Sequence, residues 1–158
     1  MIRIIACGKV KDAWLRKGIE EYATRIRPYD KIEIAEVPDE KAPDSNSAAE
    51  NEQVKLIEGE RLLKKINDGD YVILLDLAGK ECDSIALSER ISSLYTYGKS
   101  RIDFVIGGSL GVSEALIRRS DFRWKLSSNT FPHQLCRLLV LEQIYRSFRI
   151  LHHEPYHK

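Results

Sequence analysis

The residues best able to do chemistry in this chain lie in two short stretches. Phe104-Val-Ile-Gly-Gly-Ser-Leu-Gly111 runs from an apolar segment into three close glycines, and Ser127-Ser-Asn-Thr-Phe-Pro132 sets hydroxyls and an amide before a long apolar segment. The glycines do not spell a dinucleotide fingerprint, which needs G-x-G-x-x-G after the first strand of its unit and an acid about 20 residues on. Gly107, Gly108 and Gly111 have another spacing and follow the fourth apolar run. No Gly-Lys-Ser/Thr follows, so a P-loop is excluded, and Gly8-Lys9 offers no better match. Three close glycines let backbone approach a ligand or adopt unusual dihedrals. A plain tight turn is the simpler alternative. Likewise the second stretch reads as a ligand loop or as a helix cap, with Asn129 or Thr130 at the N-cap and Pro132 in the first turn.

Other chemistries find less support. His153 and His157 are spaced i, i+4, but Pro155 breaks the helical geometry and no Cys or Asp stands nearby to complete a metal shell. Cys7, Cys82 and Cys136 are odd in number and far apart, which argues against a disulfide framework or a zinc site. Cys136, in an apolar run, reads as a buried spacer. No Ser-His-Asp order, nucleophile elbow or pair of catalytic carboxylates stands out.

The elements that must position these stretches alternate. Ile2–Cys7 is an apolar strand closed by Gly8. Leu15, Ile19, Tyr22 and Ile26 then recur at helical spacing until Pro28. Residues 31–37 alternate as a half-exposed strand, and residues 38–47 form a polar, mobile loop. A helix over 49–66 follows, with Leu56, Leu63 and Ile66 on one face. Residues 71–75, YVILL, read as a central parallel strand. A helix capped by Asp83 or Ser84, a strand over Ile102–Ile106, a helix over 113–119 and a strand over 122–126 come next. The last helix runs from His133 to Leu151. Its apolar residues cover more than one face, so it must be buried on several sides, and a second subunit is the expected source of some of that cover. Arg137, Arg146 and Arg149 interrupt it, as charges that are paired or catalytic.

Strands alternating with helices define a single α/β domain over residues 1–158: a mostly parallel sheet with helices on both faces. Ligands of such sheets sit beyond the carboxyl ends of strands. That singles out residues 76–80, 107–111 and 127–132. The opening residues lack the layout of a secretory signal, and no apolar run approaches the roughly 20 residues that span a bilayer. A cytoplasmic enzyme or binding protein with no membrane partner is expected. Net charge is only +1. Basic residues nevertheless exceed acidic ones over residues 1–27 and 118–158, while the middle is acidic. Such ends can form a phosphate-binding surface that the total hides, or merely a solvated face.

FVIGGSLG, then SSNTFPHQLCRLLVLEQIYRSFRI, then the terminal PYHK, together with IIACGKVKDAW and VPDEKAP, resemble one family along the whole chain. It is the SPOUT-class methyltransferases acting on N3 of a pseudouridine in 23S ribosomal RNA. The resemblance implies a C-terminal trefoil knot, a homodimer, S-adenosylmethionine as methyl donor without metal, and the assembled ribosome as substrate. It places cofactor contacts at Leu75, Gly107, Gly108, Leu126, Ser127, Ser128, Asn129, Thr130 and Phe131. It places substrate-side chemistry at His133, Arg146, Tyr156 and His157: Arg146 orienting phosphate or the uracil-like ring, His157 or Tyr156 handling the proton, and the tail reaching the active site at the dimer interface. Without the family, Tyr156 and His157 read as a frayed terminus. Two alternatives stand beside it, a SPOUT enzyme for another RNA and a ribosome-binding module without catalysis.

Overall fold

The computed structural model describes every residue except Asn46, which belongs to the polar loop over residues 38–47 and lies outside the described residues. Strand and helix alternate throughout: β1 (Ile2–Cys7), α1 (Ala13–Ile26), β2 (Ile32–Val37), α2 (Ala48–Leu63), β3 (Tyr71–Glu81), α3 (Ser84–Thr96), β4 (Ile102–Ile106), α4 (Glu114–Arg119), β5 (Phe122–Lys125) and α5 (His133–Leu151). The five strands form one sheet in the order β2-β1-β4-β3-β5. Every pairing is parallel, as the alternation predicts.

Side chains alternate across the sheet with period two. Ile2, Ile4 and Ala6 of β1, Ile73 of β3, and Ile102, Phe104 and Ile106 of β4 enter the larger core, beneath α1, α3 and α5. Ile5 and Cys7, Val72 and Leu74, and Val105 enter the smaller core with Leu62 of α2 and Leu116 of α4. Both faces of the central strands are covered, which is why their sequences read as continuous apolar runs.

Three elements depart from the sequence reading. β3 does not stop at Leu75. Leu75 and Lys80 both pair with Trp124, so the residues between them bulge out of a strand that resumes and ends at Glu81. Asp76 holds the bulge, accepting from Ala78 N at 2.9 Å and from Arg123 Nε at 2.8 Å. In α2, Leu56 points outward and the buried residues are Val54, Glu58, Gly59 and Leu62. The inward face is narrow, and a carboxyl and a glycine occupy two of its places. At the start of α5, Pro132 itself is the N-cap and no side chain caps the helix. Neither Asn129 nor Thr130 takes that role, and the Pro132 carbonyl accepts from Cys136 N at 3.1 Å.

α5 has no fully exposed residue, because α1 and α3 flank it above the sheet. Much of the cover its composition calls for thus comes from within the chain.

The strongest polar feature of the sheet is Arg3, paired in register with Asp103 on the neighbouring strand. Its Nε donates to Asp103 Oδ1 at 2.8 Å, and its Nη2 to Asp103 Oδ2 at 2.6 Å, Asp70 Oδ2 at 2.8 Å and the Lys65 carbonyl at 2.9 Å. Burial pushes the Asp103 carboxyl up and Arg3 pulls it back down. Removing one member of such a buried set strands the other. Arg3→Ala is expected to lose about 3–5 kcal/mol of unfolding free energy. Replacing the pair together, Arg3→Met with Asp103→Leu, should recover part of it in urea titrations, the remainder reflecting the lost bonds to Asp70 and the Lys65 carbonyl.

Candidate functional site: a cavity at the strand ends and a C-terminal cluster

With all strands parallel, the carboxyl ends of β3, β4 and β5 meet at one edge of the sheet. A cavity of about 580 Å³ opens there, lined by residues 75–77, 106–112 and 129–133, with Trp124, Leu126, Ser127 and Cys136. This is the size range of small-molecule sites. Leu75, Gly107, Gly108, Leu126, Ser127, Asn129, Thr130 and Phe131 all lie on its wall, so the three loops chosen from sequence do converge. Ser128 does not. It is exposed on a turn in which Ser127 Oγ accepts from Asn129 N at 3.0 Å, which aims the middle residue outward. Cys136 is half-buried, packed against the larger core and also forming part of the cavity wall.

The glycine loop is a tight turn as well as a wall. Gly111 N donates to the Gly108 carbonyl at 3.2 Å, and Gly111 has φ +100°, a conformation that favours glycine. The missing side chains at 107 and 108 answer first to close contacts within the protein. A β-carbon on Gly107 would lie 2.9 Å from both the Gly111 carbonyl oxygen and Val112 Cγ1. One on Gly108 would lie 2.9 Å from Cδ of Glu58, a residue outside the cavity wall. These glycines let the loop fold on itself and lie against α2.

Two polar atoms on the wall, Trp124 Nε1 and His133 Nε2, are buried without a hydrogen-bond partner among the described residues. Orphan groups in a concave site are candidates for ligand contacts. Burial, and then the nearby Arg137 charge, push the His133 imidazole down, which favours its neutral form.

Arg137 explains how α5 comes to close this cavity. It is 1% exposed. Its Nη2 donates to the Cys7 carbonyl at 2.7 Å and the Gly8 carbonyl at 2.5 Å, at the carboxyl end of β1. Its Nη1 faces Glu36 Oε1 at 3.5 Å. Of the alternatives left by sequence, Arg137 is the paired, structural charge.

The other three residues expected on the substrate side gather elsewhere. Arg146 donates to Glu142 Oε1 through Nε at 3.0 Å and Nη2 at 2.5 Å, lies over the Tyr156 ring, and has Nη1 3.3 Å from His157 Nδ1. Tyr156 OH donates to Glu142 Oε1 at 3.1 Å and lies 3.3 Å from Tyr22 OH, while its ring stacks on Tyr145 at 4.8 Å. The tail is therefore ordered, not frayed. Arg149 anchors it through the Pro155 carbonyl at 3.1 Å and a salt bridge to Glu154, whose carboxylate also accepts from Tyr29 OH. His133 does not join this group. It stands thirteen residues before Arg146 on α5, about 20 Å along the helix axis at 1.5 Å per residue.

Burial, then hydrogen bonds with Tyr22 and Glu142, push the Tyr156 phenol well above its ordinary value. The Glu142 hydrogen bond raises Arg146 and keeps it cationic. Glu142 was not singled out from sequence, although its place four residues before Arg146 on a helix was the available signal. Tyr22 carried no such signal, since only the packing of α1 on α5 brings it near.

Charge is also distributed differently from its pattern along the chain. Each arginine from 118 onward has an acidic partner: Arg118 with Glu114, Arg119 with Asp121, Arg123 with Asp76, Arg137 with Glu36, Arg146 with Glu142 and Arg149 with Glu154. Lys9, Lys11 and Lys17 form no ion pair among the described residues. Lys9 and Lys11 are exposed in the loop that leaves β1.

The family described as Predicted SPOUT methyltransferase matches residues 1–157. This chain belongs to the SPOUT methyltransferases. It is 52% identical over 157 residues to the Ribosomal RNA large subunit methyltransferase H of Alkaliphilus oremlandii, covering 99% of both chains. It is 48% identical over 157 residues to the protein of the same name from Acetivibrio thermocellus, again with 99% of both covered. A solved structure, the probable methyltransferase from Bordetella pertussis Tohama I, superimposes with a TM-score of 0.56 at 14% identity, covering 92% of this chain and 95% of that one. At that identity the likeness concerns the fold, and the SPOUT fold is what this chain has.

In this SPOUT domain the cavity depends on the Arg137 anchor. Arg137→Met keeps the apolar stem but leaves two buried carbonyls unpaired, at an expected loss of about 2–5 kcal/mol. Urea titration measures that loss. Unchanged stability would show that α5 is held by its apolar face alone.

Proposed function

We propose that this chain uses S-adenosylmethionine to methylate N3 of a pseudouridine in 23S ribosomal RNA of the assembled ribosome. The observation that carries the reading is the 52% identity over 157 residues to a protein named Ribosomal RNA large subunit methyltransferase H. The cavity fits the donor's chemistry. It combines apolar walls from Leu75, Ile106, Leu126 and Phe131 with backbone groups of two loops and the unpartnered Trp124 and His133 nitrogens. The bound donor supplies an electrophilic methyl on a sulfonium. As the N3–C bond forms and the S–C bond breaks, N3 gives up its proton and S-adenosylhomocysteine leaves.

The protein's part is alignment and proton handling. Arg146, kept cationic by Glu142, orients the ring or a flanking phosphate. Tyr156 keeps its proton at neutral pH and so serves as a donor and stacking surface rather than a base. That leaves His157 and Glu142 as the groups of the cluster able to accept the N3 proton. Exposed Lys9 and Lys11, in the loop that follows β1, serve as phosphate contacts. Because α5 separates the cavity from the cluster within one chain, the reading includes a homodimer in which one protomer's tail meets its partner's cavity. The enzyme works in the cytoplasm, where ribosomes are.

Ribosomes lacking this methyl group, incubated with the protein and labelled donor, should acquire label in 23S RNA. Preferential labelling of transfer RNA would instead identify another RNA target, and binding to ribosomes with no labelling of any RNA would identify a docking module. Deleting residues 156–158 removes the Tyr156 stack and should lower the thermal midpoint slightly, leave donor affinity nearly unchanged and lower turnover by about 10²-fold or more, the scale of a lost acid–base group. Turnover at the wild-type rate would remove the tail from the chemistry.

A further inference from the structure

Glu58 is 4% exposed, and unlike the buried Asp70 and Asp103 it has no ion pair among the described residues. A buried carboxyl without a cation is costly and calls for an explanation. Its Oε2 accepts a hydrogen bond from the Cys7 thiol at the end of β1. On its other side it meets the glycine loop at the end of β4, where its carboxyl takes the space that a β-carbon on Gly108 would need. The surroundings favour the protonated, uncharged form. Burial pushes Glu58 up, and Asp39 and Glu40 from the segment after β2 add to that, against the Cys7 hydrogen bond and Arg61 of α2. Burial and Glu58 in turn push the Cys7 thiol up, so it keeps its proton despite Arg137 of α5 nearby.

We propose that Glu58 is a positioning residue for the cofactor cavity: its carboxyl, held by Cys7, backs the Gly107–Gly108 wall and sets where that wall stands. The proposal rests on the reading of the cavity as the S-adenosylmethionine site. A two-glycine segment has more backbone freedom than any other pair of residues, so its place depends on what it leans against. Toward the cavity there is open space. Behind Gly108 there is Glu58. The loop and α2 therefore form a complementary pair, with the missing β-carbon on one side and the carboxyl on the other.

That complementarity is testable as a coupling between two residues, of which only Gly108 borders the cavity. S-adenosylmethionine affinity is measured by calorimetry for wild type, Glu58→Gln, Glu58→Ala, Gly108→Ala and the double variant Glu58→Ala with Gly108→Ala. The unliganded unfolding midpoint is recorded for each. Gly108→Ala drives its methyl into the carboxyl and should weaken binding about tenfold or more, and the double variant, which gives that methyl room, should bind about tenfold tighter than Gly108→Ala, within the range of couplings between contacting residues. Glu58→Gln, which keeps the shape, should bind tighter than Glu58→Ala. If Gly108→Ala does not fold, the comparison of Glu58→Ala with wild type decides: weaker binding supports the proposal and equal binding overturns it. A double variant no tighter than Gly108→Ala, or Glu58 variants that lower the midpoint without changing affinity, would reduce Glu58 to core filling and overturn the proposal. A folded wild-type protein that binds no S-adenosylmethionine would overturn the reading of the cavity and this inference with it. Wild-type binding with independent effects at 58 and 108 would overturn this inference alone.

Discussion

The site depends on one guanidinium. Arg137 reaches from the first turns of the last helix to the carbonyls of Cys7 and Gly8, where the first strand ends. A parallel sheet leaves its carboxyl edge as a row of separate loops. Something must draw the chain's last segment across that row before the loops enclose anything. Buried hydrogen bonds from a charged donor are the strong kind, and here they join residues some 130 positions apart. With α5 anchored there, Pro132, His133 and Cys136 become walls of the cavity. Apolar packing alone would hold α5 on the sheet but would say less about how far along the strands it lies.

The anchoring has a second consequence, because α5 is a long rigid rod. Its first turn is committed to the cavity, and from its middle onward it carries Glu142, Arg146 and Arg149, which organise the tail. One chain thus presents a concave, largely apolar site at one end of the helix and a dense polar cluster at the other. The cluster is not a loose basic arm. Its arginines are paired with carboxylates and stacked on tyrosines, which holds their side chains in place. The same pairing lowers the free positive charge of the C-terminal segment, whereas Lys9, Lys11 and Lys17 near the N-terminus form no ion pair among the described residues.

Several of these features were readable from residues alone, and those that were not share a physical cause. YVILL and the run ending in Ile106 announced central parallel strands because both of their faces are buried. The three loops followed from strand direction. Glu58 escaped notice because an amphipathic reading assigns Leu56 inward and a glutamate outward, whereas α2 packs so closely on the loop after β4 that only a narrow stripe is covered. The β3 bulge was invisible because it depends on Asp76 meeting Arg123 across strands. The caps expected for α5 failed because the chain enters that helix along the cavity wall, where Asn129 and Thr130 face the opening rather than the first turn.

The order of apolar runs and helical periods settled by itself that this is a parallel α/β domain and at which ends of which strands a cavity opens. Those properties follow from local periodicity and from the direction of the chain, which each segment carries on its own. The motifs in order also pointed to the family. What each polar group does was decided only by the fold. Arg137 became an anchor and Arg146 part of a cluster on the same helix. The glycines at 107 and 108 turned out to make room for the protein itself. Charge and space are pairwise properties of residues far apart in sequence, so their outcome appears only when the partners meet.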